Sequence, residues 1–315
     1  MLKSKKFILG ALAIVLLANS SVSVATAAPK NLSRAVAQPD WLEKNLDNPK
    51  VRIIEVSTEP GIYERGHIKN SIKFVWHTDL VDTVNRDVIA RAAFTKLAQK
   101  AGIDADTTVV LYGDKNNWFA AWGAWIFNLY GQKDVRILDG GRVKWEKDGR
   151  ALTTAVPTFK SGNFTASALD KDLRATLIRD VLPVAKKPAL AQLIDIRSAD
   201  EYNGKIFAPA GFQELAVRAG HIPGAINVPW GLNVNADGTF KTTAELKALY
   251  ADKGITGSKN IITYCRIGER SSLTWFVLSE ILGYNVKNYD GSWTEYGNTV
   301  GVPIVNNAGT VWGQS

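Results

Sequence analysis

The chain repeats itself once, and no other feature narrows its possible folds as much. Five short blocks occur twice in the same order. Residues 51–56 are matched by 191–197, and 66–72 by 220–226 through a shared Gly-His-Ile. Residues 108–114 are matched by 260–266, 120–129 by 273–282, and 135–141 by 286–292. Within each half, short β-branched runs alternate with stretches whose apolar residues recur at helical spacing. That alternation implies an α/β fold, two tandem domains each built on an open, mostly parallel sheet flanked by helices. Ligands of such sheets sit beyond the carboxyl ends of the strands.

At 315 residues there is room for two ordinary domains. The repeat places the first over 28–150 and the second over 189–315. The stretch 151–188, with Pro157, Ser161, Gly162, Pro183 and Pro188, reads as a linker, and 176–186 can supply a first helix for the second domain. Residues 1–27 read as a secretory signal peptide: lysines, an apolar core from Phe7 to Ala18, then an Ala-Thr-Ala site. The expectation is export to a periplasmic or extracellular location, without stable membrane insertion after cleavage, because no other run is long and apolar enough to span a bilayer. The formal charge is +8, of which Lys3, Lys5 and Lys6 supply three, leaving +5 for the mature chain. That excess is not gathered into a basic run, which argues against nucleic acid and is compatible with a small anionic substrate.

Export invites disulfides, yet Cys265 is the only cysteine. It either pairs between chains, packs as an inert apolar residue, or is a free thiol kept for chemistry. Its surroundings favour chemistry. Residues 261–264 read as a buried strand, and from Ser271 a helix follows, so Cys265 opens a turn between them. Such a turn aims backbone N–H groups inward and adds the positive end of the helix dipole. Arg266 and Arg270 add full charges. This cradle stabilises a thiolate and makes Cys265 a candidate nucleophile. Gly268 suits the turn's backbone angles, and Ser271 is placed to cap the helix and bond the loop. Gly113 stands where the first half would need its own cysteine, so that half has no nucleophile.

The run Cys265-Arg266-Ile267-Gly268-Glu269-Arg270-Ser271 resembles the active-site loop of the rhodaneses, and the likeness extends over nearly all of the chain after the leader. The resemblance implies a tandem rhodanese architecture with a non-catalytic first domain. It implies a sulfurtransferase that moves a sulfane sulfur from thiosulfate to a thiophilic acceptor, cyanide or a thiol, through a Cys265 persulfide. No metal or cofactor is required if the thiol is already ionised. By the same resemblance Arg218, shortly before Gly220-His221, contacts the anionic end of the substrate beside Arg266 and Arg270. Asp195 and Arg197 support the loop. Animal-type thiosulfate enzymes carry a basic residue two positions after the cysteine, where this chain has Ile267; bacterial-type loops supply the charge at the position of Arg270. Three cations favour thiosulfate over 3-mercaptopyruvate as donor.

Two rivals stand beside this reading. Cysteine-dependent phosphatases also use a cysteine in an anion cradle, but with five residues between cysteine and arginine, where this chain has four. A non-enzymatic sulfur relay or binding module would share the loop and lack turnover. The Gly-His-Ile motif of His221 recurs in the inactive half as that of His67, so both histidines read as structural. No Cys/His cluster has zinc-like spacing. Trp118, Trp122 and Trp125 read as core or interdomain packing, while Trp230 and Trp293 are candidates for the pocket wall.

Overall fold

Strands form where the apolar, β-branched runs are. In the computed structural model, which describes residues 32–213 and 215–313, they build two five-stranded sheets. The first contains β1 (Val36–Ala37), β2 (Val51–Glu55), β3 (Ser71–Lys73), β4 (Thr108–Tyr112) and β5 (Asp134–Leu138). The second contains β6 (Arg174–Ala175), β7 (Gln192–Asp195), β8 (Ile226–Asn227), β9 (Ile261–Tyr264) and β10 (Val286–Tyr289). Their orders are β1-β5-β4-β2-β3 and β6-β10-β9-β7-β8, the same topology twice, with every strand pair parallel. The inner strands β2 and β9 are buried along their whole length and β4 and β7 along all but their first residue, as parallel sheets covered on both faces require. The expected leader lies outside the described residues.

The stretch 151–188 is not one uniform connection. Thr153 bridges back to His67, and Phe164 and Ala166 are buried in the core shared by the first half. Arg174–Ala175 is already an edge strand against β10, and the helical turn Leu177–Val181 and helix Leu182–Lys186 belong to the second domain. The second domain therefore starts near residue 174 rather than 189. The polar composition that reads as linker is that of a short edge strand and its flanks.

The halves meet through equivalent helices. Trp118–Leu129 follows β4 and Glu269–Phe276 follows β9, and the two pack on each other. Trp122 and Trp125 are fully buried there, and Trp125 Nε1 donates to the Leu173 carbonyl between the domains. One apolar core runs through both halves and includes Cys265.

A polar unit is buried at the same place in each domain. In the first, Tyr112 donates to Glu55, the Ile68 N–H donates to Tyr112 Oη at 3.0 Å, and Arg142 bridges Glu55 (3.0 Å) to the Gly66 carbonyl (2.6 Å). In the second, Ile222 N–H donates to Tyr264 Oη at 3.2 Å, and Arg197 bridges Asp195 (2.6 Å) to the Gly220 carbonyl (2.7 Å). The cation comes from different elements: Arg142 from the helix after β5, Arg197 from the turn after β7. Each pair is almost wholly buried, so removing one partner would strand a charge. His67 and His221 serve the same turns. Each stacks on a tyrosine, Tyr63 at 3.8 Å and Tyr202 at 3.6 Å, and makes a hydrogen bond through Nδ1 to that tyrosine's carbonyl. Burial holds the His221 pKa below the usual imidazole value.

Candidate active site

The loop after β9 is shorter than the apolar spacing suggests. Gly268 takes a left-handed conformation (φ 102°) and acts as N-cap, so the helix begins at Glu269 and not at Ser271. Only Cys265 to Gly268 bridge strand and helix, and Glu269 and Arg270 form the first helical turn. No side chain fits at 268: a Cβ there would lie 2.7 Å from the Asp290 backbone. Ser271 consequently does not cap. Its hydroxyl has two acceptors within reach, the Gly268 carbonyl (2.9 Å) and Asn288 Oδ1 (2.7 Å), so only its loop-bonding role stands. Ser272 and Asn288 also donate to the Gly268 carbonyl, fixing the turn from below.

Cys265 is fully buried. Its Sγ accepts the Gly268 N–H at 3.0 Å, at the positive end of the helix. Its own N–H donates to Ser292 Oγ at 3.1 Å, and that hydroxyl lies 3.9 Å from Sγ. Ser292 was not singled out in the sequence, although a signal existed. It stands where the first half has Gly141, and both residues are left-handed, at φ 52° and 56°. A serine tolerating a glycine's conformation indicates that its side chain is needed. In the first half the equivalent Gly113 N–H is satisfied by Asn117 Oδ1 instead, and a Cβ at Gly141 would collide with that oxygen at 2.2 Å.

Over the loop lies a cavity of about 390 Å³. Trp118 and Phe119 from the first domain and Phe212 and Trp230 from the second line it, together with Arg266, Ile267, Glu269 and Arg270, and buried Glu201 also faces it. Trp118 and Trp230 meet edge to face at 4.5 Å. Trp293 is not in the wall: it is buried, donates to the Arg218 carbonyl and lies beneath the Arg197 guanidinium. Arg270 makes a single 3.3 Å contact with buried Glu201 and lies over Trp118. Arg266 donates to the Gln213 carbonyl and lies over Phe212. Both guanidinium groups thus border the cavity with donors to spare.

Arg218 does something else. Its guanidinium donates to the carbonyls of Tyr296, Gly297, Thr299 and Val302, four of its five N–H groups, at 2.6 to 2.9 Å. It ties off the carboxyl end of the helix Ser292–Asn298 and does not line the cavity. The substrate contact expected of it is therefore withdrawn. Asp195 and Arg197 do not line the cavity; they form the buried unit described above.

Besides Trp118 and Phe119, a third residue of the first domain reaches the site, and no local motif marks it. Arg86, left-handed in the turn after Asp82, donates to the Ile267 carbonyl and to Glu269 Oε1 at 3.3 Å. Glu269 is 1% exposed, its Oε2 has no hydrogen-bond partner, and burial pushes its pKa up to about 7 against the opposing pull of Arg86. Among the described residues no cluster of His, Cys, Asp or Glu could hold a metal.

Fold and site together define a duplicated α/β protein that holds one cysteine sulfur on the Gly268 amide beneath an arginine-edged cavity. A family model described as the rhodanese-like domain matches residues 38–148 and again 183–299. The chain is 54% identical over 267 residues to a putative thiosulfate sulfurtransferase of Mycobacterium tuberculosis, covering 84% of this chain and 95% of that one. It is 51% identical over 270 residues to the sulfur carrier protein TtuD of Thermus thermophilus, covering 84% and 94%. Among solved structures, SseA from Escherichia coli, described among 3-mercaptopyruvate sulfotransferases, is 29% identical with a TM-score of 0.70, over 82% of this chain and 98% of that one. The chain belongs to the rhodanese family, with the domain present twice.

Proposed function

We propose that the protein is a thiosulfate sulfurtransferase whose Cys265 takes the outer sulfur of thiosulfate, releases sulfite and passes the sulfur to a thiophilic acceptor. The observation that carries this is the 3.0 Å contact from the Gly268 N–H to Cys265 Sγ at a helix N-terminus. Such a donor stabilises a thiolate before the reaction and the terminal sulfur after it. Arg266 and Arg270 are placed to draw a compact dianion into the cavity. Burial beneath the loop shields the persulfide from water. The loop with four residues between Cys265 and Arg270 lacks the span of the phosphatase cradle.

The test is Cys265→Ser. Wild type mixed with thiosulfate gains the mass of one sulfur and turns over; the variant keeps its fold and does neither. Substantial transfer by the variant would sink the mechanism. A second reading, 3-mercaptopyruvate as donor, is favoured by the engagement of Arg218, which leaves two cations at the cavity, Arg266 and Arg270, in place of three. Its measure is the ratio of kcat/KM for the two donors.

We further propose that the mature chain works outside the cytoplasm. The lysine-apolar-Ala-x-Ala pattern over 1–27 supports this, and a mature N-terminus near Ala27 or Ala28 in protein from its host is the expected result.

A further inference from the structure

The loop holds a carboxyl that loading Cys265 with sulfur does not require. Thiosulfate attack needs a thiolate and an anionic leaving group, and neither needs a base. Unloading onto a thiol does, because a thiol at neutral pH keeps its proton and the thiolate is the nucleophile. Glu269 borders the cavity and follows directly on Gly268, whose N–H touches the Cys265 sulfur. It is 1% exposed, and its Oε2 has no partner. In structural pairs both carboxylate oxygens are commonly satisfied, as at Glu201, where Arg270 takes one and Ser198 the other. At Glu269, Arg86 approaches Oε1 alone, at 3.3 Å, and spends its other contact on the Ile267 carbonyl. Leaving a buried carboxylate oxygen unpaired is costly unless the site uses it.

Resting on the sulfurtransferase reading above, we propose that Glu269 is the proton acceptor for the second half-reaction, with an organic thiol as the sulfur acceptor. The S–H bond of the thiol breaks and its proton moves to the Glu269 carboxylate. The thiol sulfur bonds to the outer sulfur of the Cys265 persulfide anion. The bond from that sulfur to Cys265 Sγ breaks, and its electron pair stays on Sγ. The products are an organic persulfide anion, the Cys265 thiolate and neutral Glu269, which then loses its proton to water. No external oxidant or reductant is consumed.

The groups facing Glu269 suit this task. Burial opposes its anion most strongly, with Asp290 after β10 adding to it, while Arg86 from the first domain, its own backbone N–H and Arg266 from the loop favour it. Arg270, next along the helix, is turned toward Glu201. The net result is a carboxyl that changes charge near pH 7, where a general base is most effective.

The experiment starts from enzyme already carrying the persulfide, checked by mass. Unloading is followed with an alkyl thiol, protonated at pH 7, and with an aryl thiol, ionised there. Glu269→Gln is expected to slow unloading to the alkyl thiol about a hundredfold and to slow the aryl thiol far less. Equal losses with both thiols would overturn the proposal and leave Glu269 as a structural partner of Arg86. Wild type gives an independent reading: its alkyl-thiol unloading constant should level off above about pH 7, and a climb that continues to the thiol's own pKa would also overturn it. If thiosulfate fails to load wild type, the donor assignment falls instead; loading with inorganic polysulfide then lets the Glu269 comparison proceed.

Discussion

Removing the Arg86 side chain asks whether a domain without a nucleophile takes part in sulfur transfer. Arg86→Ala deletes two contacts made across the domain boundary, to the Ile267 carbonyl and to Glu269 Oε1. A charge-assisted hydrogen bond is worth about 1.5–3 kcal/mol. Because the Arg86 side chain is 43% exposed while that of Glu269 is 2% exposed, solvent screens the pair, and the low end applies. About 1.5 kcal/mol corresponds to roughly tenfold in rate if it is lost in the transition state. The two contacts flank Gly268, so the amide that holds Cys265 Sγ is freed to drift, and small misplacements are costly in catalysis. Glu269 also loses the cation that opposes burial, so its pKa moves above about 7. The assay is rapid-quench mass spectrometry of persulfide loading from thiosulfate. The control is Arg150→Ala, which removes an arginine paired with Asp40 and Glu43 within the first domain. Loading should fall tenfold or more in Arg86→Ala and stay near wild type in the control. Equal loading by the two variants would refute the claim that the first domain positions the active loop.

Glu269→Gln should change how stability depends on pH. Burial raises this carboxyl from 4.5 to about 7, so between those values the folded state holds a proton that the unfolded state has lost. Stability from this group therefore falls as pH rises through that window, by about 3 kcal/mol in all. The stability of the variant relative to wild type should grow by that order between pH 4.5 and 8 in urea titrations, and a pH-independent difference would contradict it. Gly113→Cys should destabilise the chain and fail to restore transfer in a Cys265→Ser background, because a Cβ at 113 would lie 2.2 Å from the Val56 carbonyl oxygen; melting temperature and persulfide mass report both. Arg218→Ala should lower stability by about 2 kcal/mol, by freeing backbone carbonyls, and lower thiosulfate and mercaptopyruvate kinetics in parallel. A selective loss with thiosulfate would return Arg218 to the substrate.

The repeated blocks were enough to read the inner strands of both sheets, because parallel central strands need unbroken apolar runs and these are visible in a string of letters; the two-residue edge strands β1 and β6 carry no such run. Cys265 was legible for a related reason: a lone cysteine between a strand and a helix has few structural uses. What escaped depends on direction. Arg218 sits where a substrate contact was expected, but its side chain turns to the carbonyls of a helix end, and spacing cannot encode that turn. Arg86 lies 181 residues from its carbonyl partner Ile267, on a left-handed turn with no local signature. Gly268 moved the helix start because its backbone angle, not an apolar residue, sets the boundary.

The guanidinium groups of Arg142 and Arg197 occupy matching places in their domains, although no alignment of the two halves would put them in one column. Trp293 stands at the repeat position of Arg142, and the Arg197 guanidinium lies 4.7 Å from its ring centroid. What the duplicate has kept is a located charge, and the address from which the charge is delivered has moved. Comparison of the halves letter by letter would score this as a loss on one side and an unrelated gain on the other. Where two copies of a domain have drifted apart, equivalence is better sought in occupied volume than in sequence register.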